Sequence, residues 1–169
     1  MVVLEVNSDY GIGSTGKIVG SIHQMLMQTG NKSFVAYGRG NKRMTDGEVM
    51  RARKQLELYI HGLLTRLFDM HGAGSKKATL RLIKRIKQIS PDVVHLHNLH
   101  GYYLNIVELF KYLKFSRAEI VWTLHDCWAF TGHCAYFDYV GCKKWQIECY
   151  HCPQKSRYPK SWLFDNSSY

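Results

Sequence analysis

The stretch "VVLEVNSDYGIGSTGKIVGS", residues 2–21, decides the fold, because an apolar run leads through a glycine-rich turn into helical spacing. Residues 2–6 form a short apolar run bounded by polar residues 7–9, which predicts a buried strand. Apolar residues recur at helical spacing from 15 to 28, and Gly30 marks the end of this helix. A glycine-rich turn between strand and helix presents backbone N–H groups to an anion. The stretch therefore predicts an anion-binding turn in an α/β fold.

The rest of the chain continues this alternation. Strands are predicted at 33–37, 91–97 and 118–125, and helices at 55–72, 76–89 and 103–116, with Ser75 as a cap. Segment 41–52 is polar and indicates no clear element. The order predicts a Rossmann-like, three-layer parallel sheet with helices on both faces. After His125 the pattern becomes cysteine-rich and irregular. We therefore expect a Rossmann-like domain at 1–126 and an irregular extension of the same domain at 127–169.

Size and charge limit the function classes. A chain of 169 residues suits one domain, and no apolar run approaches the roughly 20 residues that span a bilayer. The first residues lack the features of a signal peptide, so a cytoplasmic location is expected. Free thiols or metal ligands are then favoured over disulfides. The net charge of +10 favours anionic partners but does not choose among nucleic acid, acidic lipid and phosphorylated small molecules.

The glycine-rich turn fits several kinds of site. A P-loop needs Ser or Thr after its lysine, and Ile18 follows Lys17 here. A dinucleotide site needs its first glycine directly after the strand, whereas residues 7–10 separate the predicted strand from Gly11. The second strand also ends near Arg39 and not at an acidic residue, although Arg39 would suit the 2′-phosphate of NADP. Two other interpretations remain for this turn. It could merely pack a helix against a strand, or it could hold the diphosphate of a sugar nucleotide.

Polar residues after two later strands favour the sugar-nucleotide interpretation. His97 and Asn98 follow one strand, and His125 and Asp126 follow the next. Ligands of open α/β sheets bind outside the carboxyl ends of the strands. These four side chains are therefore expected to share a cleft with the glycine-rich turn.

Three segments in this order, "VNSDYGIGSTGKI", "PDVVHLHNLHGYYLNI" and "WTLHDCWAFTGHCAYF", resemble the N-terminal domain of family 4 (group 1) glycosyltransferases. More narrowly, they resemble the cysteine-containing enzymes of bacterial capsule and exopolysaccharide synthesis. The resemblance runs from residue 1 to about 168. It implies one half of a GT-B fold, in which a second Rossmann-like domain binds the nucleotide and carries a Glu-x7-Glu motif. That second domain is expected to be absent here, so this part alone should not transfer sugar.

The resemblance also implies roles for individual residues. The donor would be a nucleotide sugar, the reaction would retain anomeric configuration, and neither NAD nor a catalytic metal is expected. The acceptor would be a saccharide, carried on polyprenyl diphosphate at the inner face of the bacterial plasma membrane. His125 would lie close to the transferred sugar with Asp126 beside it, as the catalytic pair. Candidate ligands of the donor diphosphate and the cleft are Gly13, Ser14, Thr15, Gly16, Lys17, His97 and Asn98. Lys17 would equally suit a solvated position in the first turn.

The cysteine-rich segment predicts a structural metal site. Two of its cysteines, Cys149 and Cys152, have the spacing of a zinc knuckle, and four thiolates can enclose zinc tetrahedrally. A segment with little periodic hydrophobicity would be kept ordered by such an ion. An iron–sulfur cluster, two disulfides and four free thiols are open alternatives. The predicted ligands are Cys134, Cys142, Cys149 and Cys152.

The predicted helix at 76–89 carries much of the positive charge. Its cations either form a solvated outer face or attract anionic phospholipid, worth about 1 kcal/mol per cation near the surface. The six cations are Lys76, Lys77, Arg81, Lys84, Arg85 and Lys87. The main non-enzymatic alternative for the function of the chain is a basic module that is stabilised by a metal ion and binds nucleic acid. It lacks the interleaved aromatic residues that form stacking platforms, so no nucleic-acid partner is expected.

Overall fold

The computed structural model describes residues 1–40 and 49–168. Five parallel strands form one sheet in the order β3-β2-β1-β4-β5. This is the 3-2-1-4-5 order of a Rossmann-like half, and it confirms the predicted fold class. The strands are β1 (Val2–Tyr10), β2 (Lys32–Gly40), β3 (Val49–Arg51), β4 (Val93–Leu96) and β5 (Glu119–Trp122). The helices are α1 (Gly13–Gln28), α2 (Gln55–Phe68), α3 (Lys76–Ile89) and α4 (Ile106–Leu113).

Helices cover both faces of the sheet. Side chains alternate between the two faces along each strand, so both faces can present apolar residues to the helices. Leu4 and Val6 of β1 pack in one buried cluster with Leu82 of α3 and Leu109 of α4. A second cluster joins strand residues to Val19 of α1. Both faces of the central strands are therefore buried, as expected for a parallel sheet.

Several details differ from the sequence predictions. β1 runs on to Tyr10, four residues beyond the predicted end. The short strand β3 was not predicted, and the remainder of the polar segment, 41–48, lies outside the described residues. Ser75 precedes α3 but does not cap it with its side chain. Its hydroxyl donates instead to the carbonyl of Tyr102 and lies 2.8 Å from His61 Nδ1.

Helix α2 turns its apolar stripe outward. The buried residues of α2 are His61, Gly62 and Thr65. His61 is held there by the backbone N–H of Gly74 and by the Ser75 hydroxyl. The exposed apolar stripe of α2 consists of Leu56, Tyr59, Ile60 and Leu63. On α3, Leu80 is exposed whereas Leu82 is buried.

The segment after β5 is irregular and packs back on the end of α2. It contains two 3-10 turns, Asp138–Val140 and Lys144–Gln146. The backbone N–H of Trp162 donates to the carbonyl of Arg66 at 2.6 Å, and the Phe68 and Phe164 rings stack 5.5 Å apart. Within the described parts of the chain, no helix combines the length and apolar character needed to cross a bilayer.

Candidate functional site at the carboxyl ends of the strands

The glycine-rich turn follows β1 without a gap. Gly11 and Gly13 both have positive φ angles, +70° and +63°, which glycine adopts without strain. The turn closes through a hydrogen bond from the Gly11 N–H to the Gly16 carbonyl, at 3.1 Å. Ile12 precedes α1 in extended conformation and has no polar group with which to cap the first-turn amides. A bound anion could therefore accept hydrogen bonds from these amides.

Gly16 lets α1 approach the end of β1. A Cβ atom at this position would lie 3.1 Å from the carbonyl carbon of Asp9 and 3.2 Å from the amide nitrogen of Tyr10. Close helix–strand approach is the role of the third glycine in nucleotide-binding turns. Among the other predicted diphosphate ligands, Ser14 and Lys17 are exposed and Thr15 is half-buried.

The longer β1 corrects one argument against a dinucleotide site, because Gly11 directly follows the strand. The other argument stands, since β2 ends near Arg39 without an acidic residue. Arg39 is already engaged by Asp9: its Nε lies 3.2 Å from Oδ1 and its Nη2 lies 3.3 Å from Oδ2. Ser8 donates a further hydrogen bond to Asp9 at 2.7 Å.

Asn7 connects the turn to the end of β4. Its side-chain carbonyl accepts a hydrogen bond from the backbone N–H of Asn98 at 3.1 Å. Its amide group donates to the carbonyl of Asp9 at 2.7 Å, with the Thr15 hydroxyl 3.4 Å away. One side chain thus holds the glycine-rich turn beside the segment that follows β4.

A buried carboxylate begins a chain of hydrogen bonds that reaches His125. Glu5 is fully buried in β1, and one of its oxygens lies 2.7 Å from His97 Nε2 and 3.1 Å from His95 Nδ1. On the other side of His97, Nδ1 lies 3.0 Å from His125 Nε2. Burial alone raises the pKa of Glu5, but hydrogen bonds from the two histidines outweigh it and lower this pKa below its ordinary value. Glu5 is therefore ionised and accepts from both rings.

This direction fixes the tautomers along the chain. Because Glu5 accepts the Nε2–H of His97, a neutral His97 carries its lone pair on Nδ1. His125 then donates from Nε2 and keeps a lone pair on its own Nδ1. Burial, together with the neighbouring His97, lowers the pKa of His125. The neutral imidazole of His125 thus prevails at neutral pH.

Asp126 belongs to a second hydrogen-bonded chain. Its Oδ2 lies 2.6 Å from His100 Nε2, and His100 Nδ1 lies 2.8 Å from the Tyr158 hydroxyl. Burial alone raises the pKa of Asp126. The hydrogen bond and the electrostatic interaction with His100 outweigh burial, so this pKa lies below its ordinary value. Asp126 is accordingly an ionised acceptor that orients His100.

The structure brings together four of the predicted site residues. His97, Asn98, His125 and Asp126 line one small cavity of about 10 Å³. The glycine-rich turn is joined to this group through Asn7. Sequence reasoning did not identify the contributions of Glu5, Asn7, Asp9, His100 and Tyr158. A charged residue in the middle of a buried strand was the available signal for Glu5.

The four predicted metal-ligating cysteines line another cavity, also of about 10 Å³. All four are unbridged thiols. The thiols of Cys134 and Cys152 hydrogen-bond to each other, and burial raises the pKa of Cys152 to about 12. His133 lines the same cavity.

Two further clusters have the chemistry of metal ligands, and in each the ligand atoms lie within 4.8 Å of one another. In Glu5, His95 and His97 every ring nitrogen is within hydrogen-bonding distance of a partner, since His95 Nε2 also lies 2.8 Å from the Thr123 hydroxyl. The second cluster is Asp69, His71 and His133. There the Trp128 indole N–H donates to His71 Nδ1 at 2.9 Å, which occupies the lone pair of a neutral His71.

No protein-family model matches the chain. The chain is 31% identical, over 170 aligned positions, to an Escherichia coli (strain K12) protein named "Putative colanic acid biosynthesis glycosyl transferase WcaC". The alignment covers 94% of this chain and 41% of that protein, so the chain spans about two fifths of the relative's length. The predicted resemblance to glycosyltransferases of bacterial exopolysaccharide synthesis is confirmed by this relative.

Proposed function

We propose that this chain is the acceptor-side half of a retaining glycosyltransferase. The enzyme would transfer a sugar from a nucleotide-sugar donor to a saccharide acceptor in bacterial surface polysaccharide synthesis. The observation that carries the proposal is the convergence of the glycine-rich turn, His97, Asn98, His125 and Asp126 at one edge of the sheet. Similarity to a colanic acid glycosyltransferase over 94% of the chain supports the same reaction class.

The turn would stabilise the leaving group. As the glycosidic bond to the donor breaks, negative charge accumulates on the departing diphosphate. Backbone N–H groups fixed at Gly13, Ser14, Thr15 and Gly16 would stabilise that charge without reorganising during the reaction. Lys17, which is exposed one residue later, would add a mobile cation.

His125 would act at the transferred sugar. Its imidazole is held by His97 and Glu5, so its position and tautomer are set before substrate arrives. A neutral ring with a lone pair on Nδ1 can accept a hydrogen bond from a sugar hydroxyl. In front-face transfer the leaving phosphate itself helps to deprotonate the acceptor. Such a site differs from a retaining glycosidase, which needs two carboxylates about 5 Å apart.

The test uses the full-length glycosyltransferase that the proposal describes. Release of nucleoside diphosphate from UDP-, GDP- and dTDP-sugars is measured with a polyprenyl-diphosphate-linked acceptor. We expect His125→Gln to lower turnover about 100-fold or more, the effect of removing one preorganised polar group. His151→Gln, at an exposed histidine, should retain full turnover. Consumption of no nucleotide sugar, or full activity of His125→Gln, would overturn the proposal.

We also propose that the acceptor is lipid-linked and that the chain contacts anionic membrane at the cytoplasmic face. The exposed stripe of α2 (Leu56, Tyr59, Ile60 and Leu63) supports this contact. Helix α3 lies beside it, because Arg81 Nη2 contacts Glu57 of α2 at 2.6 Å. Apolar side chains next to exposed cations are typical of helices that lie in a membrane interface.

Vesicle co-sedimentation tests this part of the proposal. With anionic vesicles, Lys84→Glu/Arg85→Glu should weaken binding by roughly 30-fold, from about 1 kcal/mol for each lost cation. Lys32→Glu, at the amino end of β2, should leave binding unchanged. Equal binding by all three chains would contradict a basic membrane contact. Salt-dependent binding to generic DNA in place of vesicles would favour the nucleic-acid alternative.

The third part of the proposal is a structural zinc ion in the cysteine-rich segment. All four predicted cysteines line a single cavity, which supports a shared ion. Between residues 127 and 168, the regular secondary structure of the chain is limited to two 3-10 turns. An ion would crosslink this segment.

A further inference from the structure

The cysteine cavity has a lining residue that the four-cysteine prediction left out. His133 is 1% exposed, and its Nε2 has no hydrogen-bond partner within residues 1–40 and 49–168. An unsatisfied buried polar atom costs about 1–3 kcal/mol, so its persistence calls for a partner. A neutral imidazole nitrogen is a good zinc ligand at about 2.0 Å. His133 therefore has the chemistry and the position to bind the same ion.

A buried carboxylate stands behind the His133 ring. Asp69 Oδ1 lies 2.7 Å from His133 Nδ1, and the side chains of both residues are fully buried. The other oxygen of Asp69 accepts the backbone N–H of Asn166 at 2.9 Å. The ring N–H is not well aligned with Asp69 for a normal hydrogen bond. Even so, a proton on Nδ1 is favoured beside the carboxylate, which places the lone pair on Nε2.

This arrangement matches the outer shell of a metal site. Histidines that bind metal usually present their second nitrogen to a carboxylate, which fixes the tautomer and orients the ring. A neutral His71 has no free lone pair for a metal ion, because its Nδ1 already accepts a hydrogen bond from the Trp128 indole. With the proton of His133 on Nδ1, its Nε2 is a ring nitrogen with a free lone pair, and it belongs to the residue lining the cysteine cavity.

Contacts connect three of the cysteines to the chain around His133. A Cβ atom built on Gly132 would lie 2.7 Å from Cys149 Cβ, so the chain before His133 touches Cys149. Cys134 is the next residue along the chain, and its thiol hydrogen-bonds to that of Cys152. The cavity of about 10 Å³ is close to the volume of one water-sized sphere, which suits a single ion.

We propose that His133 is the nitrogen ligand of a zinc-type centre whose sulfur ligands are Cys134, Cys149 and Cys152. Asp69 positions the His133 ring, and Cys142 is a dispensable neighbour. This inference rests on the zinc proposal for its occupant and changes its ligand set. It is independent of the sugar-transfer proposal, because it is tested by metal binding alone.

The experiment measures zinc content and Co²⁺ spectra of the 169-residue chain, purified without oxygen. The original chain and Cys142→Ser should each bind one ion per chain, whereas His133→Gln and Cys149→Ser should bind none. His133→Cys should recover the ion and show stronger sulfur-to-cobalt charge transfer, because a fourth thiolate replaces the nitrogen. Asp69→Asn should weaken binding about 10- to 100-fold, the usual effect of losing such a partner. His71→Gln should bind as the original chain does.

Other outcomes overturn the inference in distinguishable ways. Loss of the ion in Cys142→Ser with retention in His133→Gln would restore the four-cysteine set and keep the zinc proposal. Loss in His71→Gln with retention in Cys149→Ser would move the ion to the cluster of Asp69, His71 and His133. Absence of metal from the original chain would remove both the ion and the inference. None of these results would alter the sugar-transfer proposal.

Discussion

Replacing Glu5 by glutamine tests whether the buried carboxylate holds the histidine chain. Glutamine has nearly the same shape, so it removes the charge without opening a cavity. Glu5 accepts from His97 Nε2 at 2.7 Å and from His95 Nδ1 at 3.1 Å. The variant keeps one carbonyl acceptor, and its amide N–H₂ replaces the other oxygen, which lies 3.4 Å from His95 Nδ1 when Oε2 is the atom shared by both rings. We expect both histidines to lose their charged acceptor.

The size of the effect follows from burial. Hydrogen bonds to a charged group contribute about 1.5–3 kcal/mol each, against about 1 kcal/mol for neutral ones. Removing one partner of a buried ion pair costs about 3–5 kcal/mol. Because the glutamine side chain retains one carbonyl acceptor, we expect a value at the lower end, about 3 kcal/mol of unfolding free energy. Glu119→Gln, at an exposed position in β5, should change it by no more than about 0.5 kcal/mol.

The measurement is urea unfolding followed by circular dichroism from pH 3.5 to 8. A lowered pKa of Glu5 means that the folded state favours the ionised form. The contribution of Glu5 to folding stability is therefore complete above pH 4.5, the ordinary pKa of glutamate. This contribution is lost as the pH falls below that value and through the pKa of Glu5 in the folded state. The difference between the original chain and Glu5→Gln should be constant from pH 6 to 8 and shrink in acid. Equal stability of the two chains at pH 7 would refute the ionised, bridging Glu5.

Three further predictions concern other sites. Gly16→Ala should destabilise the chain by about 1–3 kcal/mol in urea unfolding, because its Cβ would crowd the Asp9 backbone at 3.1 Å. Gly20→Ala, which meets only a ring carbon at 3.9 Å, should instead be neutral or stabilise α1 by up to about 1 kcal/mol. Burial lowers the pKa of His61 to about 4 from 6.5, so stability should fall by up to about 3 kcal/mol as the pH drops between these values, and His61→Gln should lack that part of the slope. Titration with NADPH should give no saturable fluorescence change, since Arg39 is paired with Asp9; saturation would revive the dinucleotide site.

The fold was predictable because its central strands are continuous apolar runs. The segments between them carry apolar residues at helical spacing. The observed strand order is compatible with right-handed crossovers between these elements. β3 was missed because three residues at the sheet edge need no apolar pattern; the pairing is set by the β2 backbone, for example through the Ala52 N–H to the Tyr37 carbonyl. For α2 the pattern predicted the helix correctly but not its buried face. That face is selected by the hydrogen bonds of His61 with Gly74 and Ser75, which no periodicity reveals.

The strand-end side chains of the site were predictable from topology. His97 and Asn98 follow one strand and Asp126 follows another, and parallel strands bring such positions to one edge. Tyr158 was not predictable, because it reaches His100 from the irregular segment, 58 residues away along the chain. Contacts of that kind depend on how an aperiodic segment folds back, which local sequence does not determine.

The polar residues of β1 favour the proposed role of the turn over a turn that only packs a helix. Glu5, Asn7 and Asp9 alternate along the strand, so they lie on one side of the sheet. Glu5 and Asn7 both reach the end of β4, at His97 and at the Asn98 backbone, and Asp9 reaches Arg39 of β2. A turn needed only for packing would be served as well by apolar residues at these positions, at lower cost in desolvation.

The register explains why this side of β1 can be polar at all. Glu5 lies directly opposite His95 in the pairing of β1 with β4. A carboxylate on the central strand of a sheet covered on both faces needs a charged or hydrogen-bonding partner on an adjacent strand, because isolated burial is prohibitive. His95 in β4 and His97 directly after it supply this partner, and His97 transmits the contact to His125. The glutamate inside "VVLEV" therefore already implies a partner in "VVHLH", and with it the position of the candidate catalytic histidine.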